Sequence, residues 1–266
     1  VSLRLTPTFR AALAASDRPL AGMWVCAGST VATEIAAGSG LDWLLVDMEH
    51  SALSLESVLA QLQTAAAYPV TPVVRVPWND PVLIKQVLDI GAQNIIVPMV
   101  GSAEEARAAV AATRYPPAGI RGVGSALARS ARWNRVDGYL ADAAEHVSVT
   151  VQIETVAGVE AAAEIAAVEG VDAIFVGPAD LSASLGLLGQ QSHPDVVAAV
   201  HRVFAAAHAA GIPVGVNAFD PAVAEAYLDA GADFVAVGAD VALLARASEA
   251  LAARFVRPSS TPRGSY

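Results

Sequence analysis

Two hydrophobic patterns alternate along this chain. Short unbroken runs of Val, Ile and Leu are separated by alanine-rich stretches whose apolar positions recur at helical spacing. Apolar runs without polar alternation suit parallel strands covered on both faces, and the amphipathic stretches are the helices that would cover them. The runs predict eight strands, over residues 20–25, 43–47, 72–76, 94–98, 147–154, 173–177, 213–217 and 234–238. Turn signals support the helices between them. Asp80-Pro81 and Asp220-Pro221 each place an N-cap and an N1 proline before a helix, and those helices stop at Gly91 and Gly231. Strand and helix alternating eight times is the order of an α/β fold, a (β/α)8 TIM barrel. A further helix near residues 6–15 is expected to plug the bottom of that barrel.

Leu88-Asp89-Ile90-Gly91-Ala92 recurs as Leu228-Asp229-Ala230-Gly231-Ala232, each before a strand, as repeated βα units would. The same repeat makes an aspartate at such a place an ordinary helix ending. Residues 115–136 hold no confident strand but carry Gly119, Gly122 and Gly124, with arginines at 114, 121, 129, 132 and 135 in and beside them. A loop this long in a barrel reads as a lid over the active site. Residues 1–255 are read as one barrel domain and 256–266, rich in Pro, Ser and Arg, as a disordered tail.

The length of 266 residues fits one such barrel and is too short for two. A formal net charge of −10 argues against nucleic acid or an anionic membrane surface as partner. Cys26 is the single cysteine, so no intrachain disulfide can form. No stretch has the pattern of a signal peptide or the roughly 20 apolar residues of a membrane span. The expectation is a soluble, cytoplasmic protein. Lys85 is the single lysine and falls within a predicted helix, so a Schiff-base mechanism, which needs a desolvated lysine amine, is not expected. No Walker A loop, GxSxG or strand-borne GxGxxG is present, and no nucleotide cofactor or structural zinc site is expected.

The chemistry gathers at strand ends. Asp47, Glu49, His50, Arg75, Glu154 and Asp180 all end or directly follow a predicted strand, and in a parallel barrel such side chains converge on one mouth. Two carboxylates, Glu154 and Asp180, suit a small hard cation that keeps water or substrate on its other positions. Alternatively, Glu154 pairs with an arginine and Asp180 caps the next helix. The turn leading into residues 178–182 would offer the amides of Ala179 and Asp180 to a substrate carboxylate. Arg75 could stabilise an enolate oxygen or form an ion pair with Glu49 or Glu154. His50 could serve as acid and base, or stand exposed without a role.

Six segments in order, WLLVDMEH at 43–50, PVVRVPWND at 72–80, VPMV at 97–100, RYPPAGIRG at 114–122, VQIET at 151–155 and VGPADLS at 176–182, resemble the class II pyruvate aldolases. The resemblance runs from about residue 22 to 255. It implies a barrel whose last helix exchanges between subunits of a homo-oligomer, a hexamer, and a divalent ion, Mg²⁺, Mn²⁺ or Co²⁺. It places metal ligands on Glu154 and Asp180, the ketone-contacting arginine on Arg75 and the acid/base histidine on His50. It puts a substrate and metal-water contact on Gln152, and gives Asp89 the task of orienting His50 from an adjacent subunit. The implied reaction is reversible cleavage of a 4-hydroxy-2-oxo acid, in the first instance 4-hydroxy-2-oxoheptanedioate, to pyruvate and an aldehyde, succinic semialdehyde. Alternatives are a sugar-acid aldolase, a CoA-ester lyase of a related barrel and a catalytically silent binding barrel. Met48, Gly122, Val123, Asn217 and Phe219 are candidate specificity positions; Met48 and the stretch 216–220 depart from the family pattern.

Overall fold

All eight predicted strands form in the computed structural model, which describes residues 3–256. They are β1 Leu20–Val25, β2 Trp43–Asp47, β3 Thr71–Arg75, β4 Asn94–Val97, β5 Ser148–Ile153, β6 Ala173–Val176, β7 Val214–Asn217 and β8 Phe234–Ala239. Each pairs in parallel with the next, and β8 returns to β1, closing the barrel. The helices are α1 Phe9–Ala15, α2 Thr30–Ala37, α3 Leu55–Ala65, α4 Pro81–Asp89, α5 Ala103–Thr113, α6 Tyr139–Asp142, α7 Val156–Glu160, α8 Ala162–Ala166, α9 Pro178–Ser184, α10 Pro194–Ala209, α11 Pro221–Asp229 and α12 Asp240–Phe255. Every strand limit falls within one residue of the pattern-based one. Arg75 is the last residue of β3, and Glu154 falls one residue beyond β5. Residues 257–266, most of the expected disordered tail, lie outside the described residues.

The aromatic residues fill the barrel's lower interior. Phe9, Trp43, Phe175 and Phe234 are buried there, with Phe9 lying 5.3 Å from the Trp43 ring and 5.2 Å from that of Phe234. The expected plug is thus α1, shorter than predicted, capped by Thr8 and pinned where the Phe9 amide donates to Asn94 Oδ1 at 2.6 Å. A large indole fits inside the barrel because Gly22 faces it; a Cβ at Gly22 would sit 2.4 Å from the Trp43 ring. A second apolar layer, between strands and helices, is built from Val, Ile and Ala. The two Asp-Pro starts behave as read: Asp80 accepts from the Val82 and Leu83 amides, and Asp220 from those of Ala222 and Val223.

The long loop is not a lid over this chain's own barrel mouth. It packs outside the barrel, where Ile120 and Arg121 donate backbone bonds to Ala111 and Arg114, and Arg129 reaches the Ile90 carbonyl. Arg121 is buried there, over the Tyr115 ring at 4.8 Å and bonded to Asp89. A buried guanidinium needs a carboxylate, and that requirement ties the loop to α4 rather than to the mouth.

At the other extreme, α12 has no buried residue. Leu243, Leu244, Leu251 and Phe255 are all exposed in the single chain. Among the described residues no helix is long and apolar enough to cross a membrane.

Candidate active site

Strands β2, β3, β5 and β6 deliver the charged groups to one cavity of about 310 Å³ at their C-terminal ends. Asp47, His50, Arg75, Gln152, Glu154, Ala179 and Asp180 all line it. Its position is the one that barrel enzymes use, because strand ends there are followed by loops free to vary.

Arg75 is 4% exposed and held on three sides. Its Nε and Nη2 donate to Asp47 at 2.8 and 2.9 Å, Nη1 lies 2.8 Å from Glu49 Oε2, and the guanidinium stacks 4.3 Å over Trp24. The ion-pair partners are therefore Asp47 and Glu49, and not Glu154. A guanidinium carries five N–H groups. Two are spent as hydrogen bonds on Asp47, while Nη1 pairs with Glu49 by charge, Glu49 Oε2 accepting no hydrogen bond, so donors remain for a substrate oxygen. Asp47 also accepts from the Glu49 and His50 amides, which fixes the turn after β2. Burial raises the Glu49 carboxyl pKa, and the Arg75 charge opposes that rise. His50 stands at the rim with its side chain 64% exposed and Nε2 3.8 Å from Glu49 Oε1.

Glu154 is 2% exposed. Its Oε1 accepts from the Met99 amide at 2.8 Å and its Oε2 from the Gln152 side-chain amide. Burial pushes its pKa up to about 7, against the lowering effect of those bonds, with Glu49 and Asp180 adding repulsion. Gln152 spends its amino group on Glu154 and leaves Oε1 buried without a partner. Gly177 makes this packing feasible, since a Cβ there would meet Glu154 Oε2 at 2.5 Å. Asp180 lies in the first turn of α9 and is exposed. It does not cap that helix: the N-cap is Gly177, with no side-chain bond.

A profile described as HpcH/HpaI aldolase/citrate lyase matches residues 20–247. The chain is 53% identical over 253 residues to a 4-hydroxy-2-oxo-heptane-1,7-dioate aldolase of Shigella flexneri, covering 95% of this chain and 94% of that one. A protein of the same name from Shigella sonnei (strain Ss046) is 54% identical over 248 residues, covering 93% and 94%. The crystal structure of an HpcH/HpaI aldolase/citrate lyase family protein from Burkholderia cenocepacia J2315 superposes with a TM-score of 0.89 at 43% identity, covering 94% of this chain and 99% of that one. The chain belongs to the HpcH/HpaI aldolase/citrate lyase family. It is an aldolase, a carbon–carbon lyase.

Within this family member's cavity, other predicted residues fall in different places. Asn217 and Phe219 line it; Met48 does not, and packs against the outer apolar layer. Gly122 and Val123 are exposed on the outer loop, away from the cavity of their own chain. Asp89 ends α4, which runs back from the mouth, so it sits toward the opposite end of the barrel from His50. There Arg121 Nη2 donates to it at 2.9 Å. The cation that offsets a carboxylate at this helix C-terminus is thus Arg121 of the same chain. Lys85, also on α4, is outside the cavity.

Sequence reasoning left out the uncharged wall, made by Trp24, Cys26, Phe175, Ala239, Val241 and Ala242. Nothing distinguishes a strand tryptophan facing a cavity from one facing a core until the barrel closes. Burial raises the Cys26 thiol pKa, so it contributes a neutral surface there.

Proposed function

We propose that this cavity reversibly cleaves 4-hydroxy-2-oxoheptane-1,7-dioate to pyruvate and succinic semialdehyde, with a divalent cation held by Glu154 and Asp180. The observation that carries the reading is the meeting of Arg75, His50, Glu154 and Asp180 in one cavity, in a chain 53% identical to aldolases named for that substrate. The donor set suits a hard cation. Glu154 is a carboxylate that burial alone disfavours, and a positive charge beside it would reverse that cost. Gln152 Oε1 is an orphaned buried acceptor two residues away. Among the described residues no group of three or more His, Cys, Asp or Glu is placed to hold a metal. Two carboxylates with the remaining positions filled by water and substrate are what Mg²⁺ or Mn²⁺ takes, and Co²⁺ accepts the same ligands.

When bound, such an ion supplies Lewis-acid polarisation of the 2-oxo group. The protein does the rest. The amides of Ala179 and Asp180, in the first turn of α9, lack intrahelical acceptors and take the substrate's carboxylate. His50 removes the C4 hydroxyl proton. As the C3–C4 bond breaks, its electron pair forms the C2–C3 double bond, C4 becomes the aldehyde carbon, and C2=O becomes an enolate oxygen. The N–H groups of Arg75 not bonded to Asp47 hold that oxygen, with the guanidinium pre-organised by Asp47 and Glu49. Protonation at C3 releases pyruvate.

The uncovered face of α12 supports a homo-oligomer, a hexamer with α12 exchanged between subunits. In it, Asp89 of one chain would reach His50 of another. For the metal site, the test is binding and turnover together. Saturation with Mn²⁺ at 100 times its Kd should stabilise the protein by about 2.7 kcal/mol. Glu154→Ala and Asp180→Ala should each lose that stabilisation along with cleavage. Full turnover in excess EDTA defeats the proposal.

A further inference from the structure

The uncharged wall of the cavity contains one polar side chain whose orientation is decided by its neighbour. Asn217, the last residue of β7, lines the cavity beside Phe219. Its Oδ1 accepts from Trp24 Nε1 at 2.7 Å. The oxygen and nitrogen of a side-chain amide are ordinarily hard to tell apart. Here they are not, because an indole N–H only donates, so the atom that faces it must be the oxygen. Trp24 is itself held firm, 7% exposed between the Arg75 guanidinium and the Phe175 ring. One extra residue in β8 opposite Trp24 marks a bulge: Gly22 pairs with Ala236 but Trp24 with Ala239. Bulges at a barrel rim re-aim side chains.

The consequence is an amide whose NH₂ cannot flip away. Asn217 Nδ2 makes no hydrogen bond to any described residue, while its neighbours on that wall are Trp24, Phe175, Phe219, Ala239, Val241 and Ala242. The ionisable groups Asp47, His50, Arg75, Glu154 and Asp180 belong to the arc from β2 to β6, where the oxo-acid half of the substrate is placed. The other half must lie against the β7–β8–β1 arc. That arc offers an apolar surface, no cation and two N–H donors. A bound molecule that presents a methyl group there strips this donor of water without replacing the bond, so one that supplies an oxygen is favoured.

We propose that Asn217, locked by Trp24, is the specificity determinant for the aldehyde, donating its amide hydrogens to an oxygen at the far end of the acceptor. This rests on the aldolase reading of the cavity, and the pocket then selects aldehydes with a terminal hydroxyl or carboxylate over alkyl ones. The experiment measures kcat/KM for aldol addition of pyruvate to three aldehydes: butanal, 3-hydroxypropanal, in which hydroxyl replaces the terminal methyl, and succinic semialdehyde, in which carboxylate does. In Asn217→Leu, the preference for an oxygenated aldehyde over butanal should fall roughly tenfold, the worth of one hydrogen bond. Asn217→Asp keeps the acceptor for Trp24 but has no donor, so it should lose the same preference and repel succinic semialdehyde further. A fall for one oxygenated aldehyde alone identifies which group Asn217 holds. Ratios that neither variant moves overturn the proposal. Exchange of pyruvate C3 protons into D₂O by the wild-type protein reports enolate formation alone. Its absence defeats the aldolase mechanism, whereas unmoved ratios with exchange present defeat only the role of Asn217.

Discussion

Arg75 shows how a residue's place in the sequence leaves its work undecided. Its position at a strand end made it a cavity residue, but the choice between ion pair and substrate contact stayed open. The ion pairs form with Asp47 and Glu49, and with two of its five N–H groups hydrogen-bonded, both to Asp47, the guanidinium keeps donors that a substrate could use. Asp47 stood in the right place in the sequence without an assigned role, and proves to be the group that orients Arg75 and the turn bearing His50. Lys85 carries a prediction at this scale. As the single lysine, on α4 and outside the cavity of its own chain, it is not placed to form an imine with substrate bound there. Borohydride with pyruvate should leave the protein mass unchanged, and Lys85→Ala should retain most of its turnover. A pyruvate-sized adduct on Lys85, seen by mass spectrometry, overturns the enolate mechanism.

Among the elements, the strands were legible because a doubly covered parallel strand is apolar throughout, and the two Asp-Pro helix starts because capping is local. The 115–136 loop was not. Its length and glycines suggested a lid, but the buried Arg121 required Asp89 on α4, and that pairing holds the loop outside the barrel. Where an element packs depends on partners far away in the chain. Close approach makes a second prediction here. Gly22 of β1 touches Trp43 of β2, and both belong to the barrel's interior. Gly22→Ala overpacks that layer and should cost about 1–3 kcal/mol, read as a lower midpoint of denaturant unfolding with the slope unchanged. A midpoint equal to wild type would show that the indole relaxes freely, contrary to its burial.

For the whole molecule, a single chain is a closed barrel with an unfinished exterior. The exposed leucines of α12 and the outer loop's Ile120, Val123, Leu127 and Trp133 leave apolar surface that one chain does not cover. Asp89 and His50 lie toward opposite ends of the barrel, so a dyad between them requires a second chain. Asp89→Ala and His50→Ala subunits, each inactive alone, should regain part of the activity when refolded together, because some mixed sites then contain both native residues. Assembled mixtures that stay inactive rule out a dyad between chains. Arg121 is Asp89's partner within the chain, so chromatography of each variant must show normal assembly for the result to bear on catalysis.

The sequence by itself determined the barrel, the strand ends at or after which Arg75, Glu154, His50 and Asp180 stand, and the family. Hydrophobic period, capping and short motifs are local, and each survives in the order of residues. The tertiary structure decided what those residues face: Asp47 and Glu49 for Arg75, Arg121 for Asp89, and Trp24 for Asn217. Their partners lie 26 to 193 residues apart in the chain, and only barrel closure and burial, which make an unpaired charge or donor costly, bring them together.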